Sequence, residues 1–300
     1  ARKKGRFIMK IFEKEHSILP GFAPTLGLTL FYLTLVVLLP LSTLVVNSAT
    51  LGFDAPDTGF WEGIGRGIPE FWKIVSSRRV LASFRVTFGT ALLAAFLNLF
   101  FGGVVAYALV RVKLPLKRVI DALIDLPFAM PTAICGIAMA TMYAPAGPVG
   151  SLAAKLGIKI AFTPLGITLA MVFIGMPFVV RALQPALEDL GHELEDAAMS
   201  LGASRFTAWR KVVLPALAPP LVTGFTLAFA RGLGEYGTVI FIAGNMPFKT
   251  EVTSLLIVTQ LEQFNYPGAT AIALTMLLAS LLLIFGINWF FNRKHRQGRY

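Results

Sequence analysis

Hydrophobic positions along this chain gather into long charge-free runs, with the charged positions between them. Residues 17–53 carry no charge, and their best helical part is about 22–46. A second run covers 86–110, and 126–154 contains a third that ends near Tyr143. The fourth is 160–180. The fifth opens at 212–230 and has to continue past Arg231 and Glu235 to about 243 (a span of 217–243). The sixth lies within 263–292 and is best placed at 269–291. A transmembrane helix needs about 20 mostly apolar residues to cross a hydrocarbon core of about 30 Å. The pattern therefore predicts an all-α, polytopic membrane protein with six transmembrane helices in a domain covering 22–291. An N-terminal segment, 1–21, precedes it and a tail, 292–300, follows. Six spans put both termini on one side.

Composition agrees with that picture: 56% of the 300 residues are hydrophobic and 14% are charged, against about 25% charged in a soluble domain. The charge is lopsided, 27 Lys and Arg against 16 Asp and Glu, a net +11. With the termini on the inside, 18 of the basic residues fall in the tails and inner connections and 8 in the outer ones. That bias places both termini in the cytoplasm. No extended basic face interleaved with aromatics is present, so nucleic acid is not an expected partner; the lipid bilayer is. The first run is too long for a cleavable signal, and 42–49 is only a weak cleavage-like stretch. Cys135 is alone, and His16, His192 and His295 are scattered, so neither an internal disulfide nor a metal site is expected.

Chemistry-bearing motifs are missing. There is no phosphate-cradling G-x-x-x-x-G-K-[ST], no G-x-S-x-G and no H-E-x-x-H. The chain is expected to be no enzyme by itself and to bind no cofactor. That leaves a transporter, a channel or a membrane subunit of something larger.

One inner connection is too long to be a mere link. Residues 181–215 include Leu190, Leu194, Ala197, Ala198 and Leu201 at helical spacing, with Glu188, Asp189, Glu193, Glu195 and Asp196 between them. Gly202 breaks the run, Ser204 can cap a second short helix, and Pro215 permits the turn into the fifth span. Two readings remain open on pattern alone: a solvated amphipathic connector, or a low-profile helix–turn–helix that another protein approaches closely.

Asp196-Ala197-Ala198-x-x-x-Gly202, then nine residues, then Val212-x-Leu214-Pro215, resembles the E-A-A-x-x-x-G-x9-I-x-L-P motif of permease subunits in ABC importers. It departs only in Asp for Glu at 196 and Val for Ile at 212. The wider chain, from about 19 to 292, resembles the sulfate/thiosulfate (CysT-type) branch of that family. The likeness is carried by the stretches 126–133 (LPFAMPTA), 176–181 (MPFVVR), 230–237 (ARGLGEYG), 239–245 (VIFIAGN) and 261–263 (LEQ). Molybdate and tungstate permeases share parts of this set.

The resemblance implies a type I ABC importer permease fold in a bacterial-type inner membrane. It makes 181–215 a coupling segment whose Asp196, Ala197, Ala198, Gly202, Val212, Leu214 and Pro215 meet an ATPase subunit. The implied partners are a second, homologous (CysW-like) permease that completes the translocation path, two ATP-binding subunits that hold ATP and Mg²⁺, and an extracytoplasmic sulfate-binding protein.

Arg231 and Glu235, four apart, read either as a structural pair or as part of the path or its gate. Glu235 would cancel much of the field of Arg231, so no strong fixed sulfate site is expected there. Pro127, Pro131 and Pro177 read as hinges, and Gly232, Gly234 and Gly237 as points of close helix approach, although Pro and Gly are frequent in membrane helices anyway. Asp121 and Asp125 read as a charged cytoplasmic helix face. An ion-coupled secondary anion transporter is the remaining alternative; inside the spans it has only the Arg231 and Glu235 pair to work with.

Overall fold

The computed structural model describes residues 22–49, 51 and 60–297. The expected cytoplasmic segment 1–21, with its six basic residues and His16, lies outside them.

Helix α1 consists of Phe22–Leu33 and Leu39–Ala49, joined through a π-helical turn at Thr34–Leu38. After it come α2 (Phe60–Val75) and α3 (Arg78–Arg111). The short helices α4 (Lys117–Ile124), α5 (Leu126–Ala129), α6 (Thr132–Tyr143) and α7 (Pro148–Lys155) follow. The long helix α8 (Pro164–Asp189) leads to α9 (Glu193–Ser200) and α10 (Arg205–Ala208). A π-helical turn at Trp209–Val213 and the turn Leu214–Ala216 then lead into α11 (Ala218–Leu233). The chain ends in α12 (Val239–Ile242), α13 (Thr253–Glu262) and α14 (Tyr266–Gln297). Among the described residues four helices are long and apolar enough to cross a membrane: 24–49, Arg78–Arg111, Pro164–Asp189 and 266–291. The number rises to six if each of two bent pairs counts as one span, α6 with α7 at 41° and 205–216 with α11 at 63°.

The core is the three-way packing of α3, α8 and α11. In lipid the acyl chains are as apolar as leucine, so helix association rests on close van der Waals fit and small residues. Ala91, Ala94, Ala95 and Ala106 of α3 are all buried. A Cβ added to Gly102 of α3 would stand 3.1 Å from the Val179 Cβ, and one added to Gly224 of α11 would stand 3.0 Å from the Val179 Cα. Both neighbours thus close on α8 at Val179. The outward faces of α1 and α14 are covered with exposed Leu, Phe and Val, a surface that lipid rather than water solvates.

The structure departs from the expected spans where backbone chemistry overrides hydropathy. The third span is not one kinked helix over 126–143. Pro131 forces Met130 into extended backbone (φ −96°, ψ 139°), so α5 and α6 are separate helices. The fifth does not run on to 243: α11 stops at Leu233, Gly234 caps it, and α12 restarts at Val239. The Gly-rich stretch 232–237 has little helix propensity to carry the helix through. The fourth outruns its apolar segment, carrying 181–189 as helix through Asp189, with Pro177 and Pro185 accommodated inside it. Residues 60–75, between the first two apolar runs, are helical as well, and α14 carries the first part of the expected tail to Gln297.

Candidate functional site

Because α8 extends to Asp189, the projecting part of the long connection shortens to a hairpin of α9 and α10. Glu193, Glu195 and Asp196 occupy the first turn of α9, where the helix dipole favours negative charge. The C-terminus of α9 is closed by a Schellman motif. The Ala203 N–H donates to the Ala198 carbonyl (3.1 Å), the Gly202 N–H donates to the Met199 carbonyl (2.9 Å), and Gly202 sits at φ +87°. The Ser204 hydroxyl then accepts the Thr207 N–H at 3.3 Å and caps α10. Asp196, Ala197 and Gly202 are exposed and Ala198 is half-buried. Val212 is half-buried, while Leu214 and Pro215 are exposed at the bend. Leu201 is 90% exposed, with Leu194, Met199 and Phe206 also outward. The apolar stripe of the hairpin faces away from this chain's own core, as an interaction surface does.

Two guanidinium groups tie this end of the molecule together. Arg111, the last residue of α3, is only 5% exposed in its side chain. Its Nη2 donates to the Gly191 carbonyl and forms an ion pair with Glu195 Oε1 at 3.3 Å. One charge therefore joins the end of a span to the entry and first turn of α9. Arg181 joins α8 to α4. Its Nη1 donates to Asp121 Oδ1 (2.9 Å) and Gln184 Oε1 (2.7 Å), and its Nε donates to Asp125 Oδ1 (3.0 Å). Asp121 and Asp125 thus form one half of an inter-helix clamp instead of a free charged face.

A second constellation forms where the stretches 126–133 and 230–237 meet. Arg231, in the last turn of α11, pairs with Glu235 at 2.5 Å. The two are not on one continuous helix: Glu235 lies beyond the cap and folds back. Its side chain is 2% exposed, and its Oε1 accepts the Thr238 N–H at 2.7 Å. The Thr238 hydroxyl donates to the Thr132 carbonyl (3.2 Å) at the start of α6. A Cβ on Gly237 would fall 2.1 Å from the Thr132 Oγ1. The break at Pro131 and the glycine turn therefore interlock, with Glu235 as the buried polar centre. Pro177 sits elsewhere, inside α8, one residue before Phe178, whose ring meets that of Phe128 edge-on at 5.1 Å. Pro127, in the first turn of α5, is next to that aromatic contact.

Sequence reasoning missed Arg111, and it missed the pairing of Arg79 with Glu251. There the guanidinium holds a carboxylate in two bonds, at 2.8 and 2.6 Å, and Glu251 is almost wholly buried. The partners are 172 positions apart, so no local spacing reveals them. Next to this pair the Thr253 N–H donates to the Thr87 hydroxyl at 2.8 Å. No group of His, Cys, Asp and Glu that could hold a metal occurs among the described residues.

Comparison with known proteins bears on this arrangement. Residues 98–296 match the family model for the "Binding-protein-dependent transport system inner membrane component". The chain is 45% identical over 280 residues to the sulfate transport system permease protein CysT of Salmonella typhimurium, and equally to that of Escherichia coli; each alignment covers 93% of this chain and 96% of the relative. Identity to the CysT protein of Synechocystis sp. is 44% over 260 residues, covering 87% of this chain and 86% of that one. In fold the chain is similar to a bacterial ABC transporter involved in import of the acidic polysaccharide alginate, with a TM-score of 0.71 at 16% identity over 90% of this chain and 94% of that one. It is also similar to the inward-facing MetNI methionine ABC transporter, with a TM-score of 0.51 at 22% identity over 76% of this chain and 97% of that one.

Proposed function

The chain belongs to the inner-membrane components of binding-protein-dependent transport systems, and from that membership we propose how its parts divide the work of sulfate import. It is a non-catalytic permease subunit of an ABC importer for sulfate, and ATPase and solute-binding subunits complete the system. Thiosulfate, also a tetrahedral dianion, is a second substrate. A homologous, CysW-like permease encloses the other half of the path, two ATPase subunits bind ATP and Mg²⁺, and both termini face the cytoplasm.

The α9–α10 hairpin is the coupling element. The observation that carries this is its outward apolar ridge on a rigidly capped turn, anchored to the spans through Arg111. Asp196, Ala197 and Ala198 present a low surface to the ATPase groove, Gly202 sets the turn, and Val212, Leu214 and Pro215 pass the movement into α11. Closure of the ATPase pair on ATP displaces the hairpins, and Arg111 carries that displacement to α3. Binding of ATP thereby selects one of two packings of the bundle, and hydrolysis releases it. Pro127, Pro131 and Pro177 lie where helices must flex against one another.

Arg231 stands at the path or its gate. Paired with Glu235, it attracts a dianion only weakly. That suits conduction, since a site must be favourable enough to enter and weak enough to leave.

The test is co-purification with the partner subunits followed by sulfate-dependent ATP hydrolysis and uptake, with thiosulfate and molybdate as competitors. Stimulation by sulfate, with thiosulfate competing, is expected. Uptake driven by an ion gradient without ATPase subunits would sink the reading. The double variant Arg231→Met/Glu235→Gln removes the pair without stranding a charge. It should assemble and hydrolyse ATP yet take up sulfate more slowly; unchanged uptake would make the pair purely structural.

A further inference from the structure

Helix α2 is left unused by the coupling and path residues. It lies at the end of the bundle opposite the hairpin, because α3 begins after a two-residue turn and runs about 50 Å, at 1.5 Å per residue, before reaching Arg111. Its residues divide among three sectors. Gly63, Gly67 and Val75 are buried, with Phe71 and Ile74 half-buried, on the side that meets α1, α14 and the start of α3. Glu62, Arg66 and Lys73 form an exposed charged sector, with Arg66 paired to Glu62 at 2.5 Å and Lys73 paired to Glu70 at 3.4 Å. The third sector is apolar and exposed: Trp61 (82%), Gly65, Ile68 and Trp72 (62%). Their spacing of four, three and four places them in one stripe about 16 Å long.

A helix with a protein face and a charged face needs no apolar stripe if only water lies beyond. Other large apolar side chains are exposed at the same end of the bundle. Leu81, one turn into α3, is exposed, and Phe264 and Tyr266 stand exposed at the start of α14, their rings 6.5 Å apart. Val80 and Ile272 share a buried cluster, which puts the starts of α3 and α14 at the same level. Trp61, Trp72, Phe264 and Tyr266 thus lie at one end of the spans, and aromatic rings at that height mark the boundary between headgroups and acyl chains.

We propose that α2 is an interfacial helix lying in the leaflet opposite the coupling hairpin. Its Trp61–Ile68–Trp72 stripe enters the acyl region and its Glu62–Arg66–Lys73 face meets water. Phospholipid is the occupant of this surface, and the contact sets the height of the adjoining ends of α1 and α3 in the bilayer.

The test uses the assembled transporter in liposomes, spin-labelled one position at a time at Glu62→Cys, Gly65→Cys, Ile68→Cys or Lys73→Cys in a Cys135→Ala background. A side chain at Gly65 meets nothing within 4 Å, so a label is accommodated there. Labels at 65 and 68 should be readily relaxed by oxygen, which concentrates among acyl chains, and should lose contact with a water-soluble nickel chelate. Labels at 62 and 73 should show the reverse, and they control for the fold of the same helix. Equal nickel access at all four positions would overturn the proposal. So would nickel access at 65 and 68 that disappears when the sulfate-binding protein is added, which would make the stripe a protein-docking face.

Discussion

Replacing Gly202 by alanine separates two demands that the hairpin could make at this position. Gly202 is the residue after the end of α9 in the Schellman motif, and its φ of +87° lets the carbonyls of Ala198 and Met199 accept the two closing N–H groups. An added Cβ would meet nothing within 4 Å inside the chain. The cost within the permease is therefore conformational, about 1–2 kcal/mol for an L-residue held at positive φ, or a factor of about 5–30 in the population of the native turn. Asparagine adopts positive φ more readily than alanine. Gly202→Ala should weaken binding of the ATPase subunit to the nanodisc-embedded permease by up to about 5–30-fold, and Gly202→Asn should weaken it less. Titration of labelled ATPase subunit, with sulfate-stimulated hydrolysis measured alongside, reads both effects. If Asn binds as poorly as Ala or worse, bulk at the docking surface governs the position and the conformational argument fails.

Two further outcomes follow from the buried charges. Arg111→Met strands Glu195 and unties α3 from the hairpin, so it should cost about 3 kcal/mol, the lower end of the range for broken buried pairs because Glu195 is partly exposed. Thermal unfolding should fall accordingly, and Arg111→Met/Glu195→Gln should recover much of the loss; no recovery in the double variant would refute the pairing. At the opposite end, Arg79→Met should destabilise more than Glu251→Gln. Glu251 is buried and would be left charged without a partner, whereas Arg79 is partly exposed and can turn to water; equal unfolding temperatures for the two variants would count against this.

Legibility in the sequence was uneven for physical reasons. The hairpin could be read because its determinants are local: acidic residues in a first turn, a glycine after a helix end, a serine at a cap. The outward direction of Leu194 and Leu201 could not, because helical spacing defines a stripe but does not say whether the chain's own core or another protein covers it. The Arg231 and Glu235 spacing was visible, yet it suggested a shared helix face. The glycine turn instead folds Glu235 back, and only the packing of that turn on Thr132 reveals that the carboxylate is buried.

The sequence by itself determined that this chain belongs in a bilayer and which segment resembles a coupling element. Transfer into lipid depends on composition summed over about 20 consecutive residues, a property that sequence carries directly. Tertiary structure alone decided that Arg79 holds Glu251, that Arg181 clamps Asp121 and Asp125, that Arg111 grips the hairpin, and that α2 turns two tryptophans outward. Those facts depend on which helices lie side by side and how closely. That is settled by the fit of Gly102 and Gly224 against Val179 and by the helix breaks at Pro131 and Gly234, contacts between positions that sequence spacing does not relate.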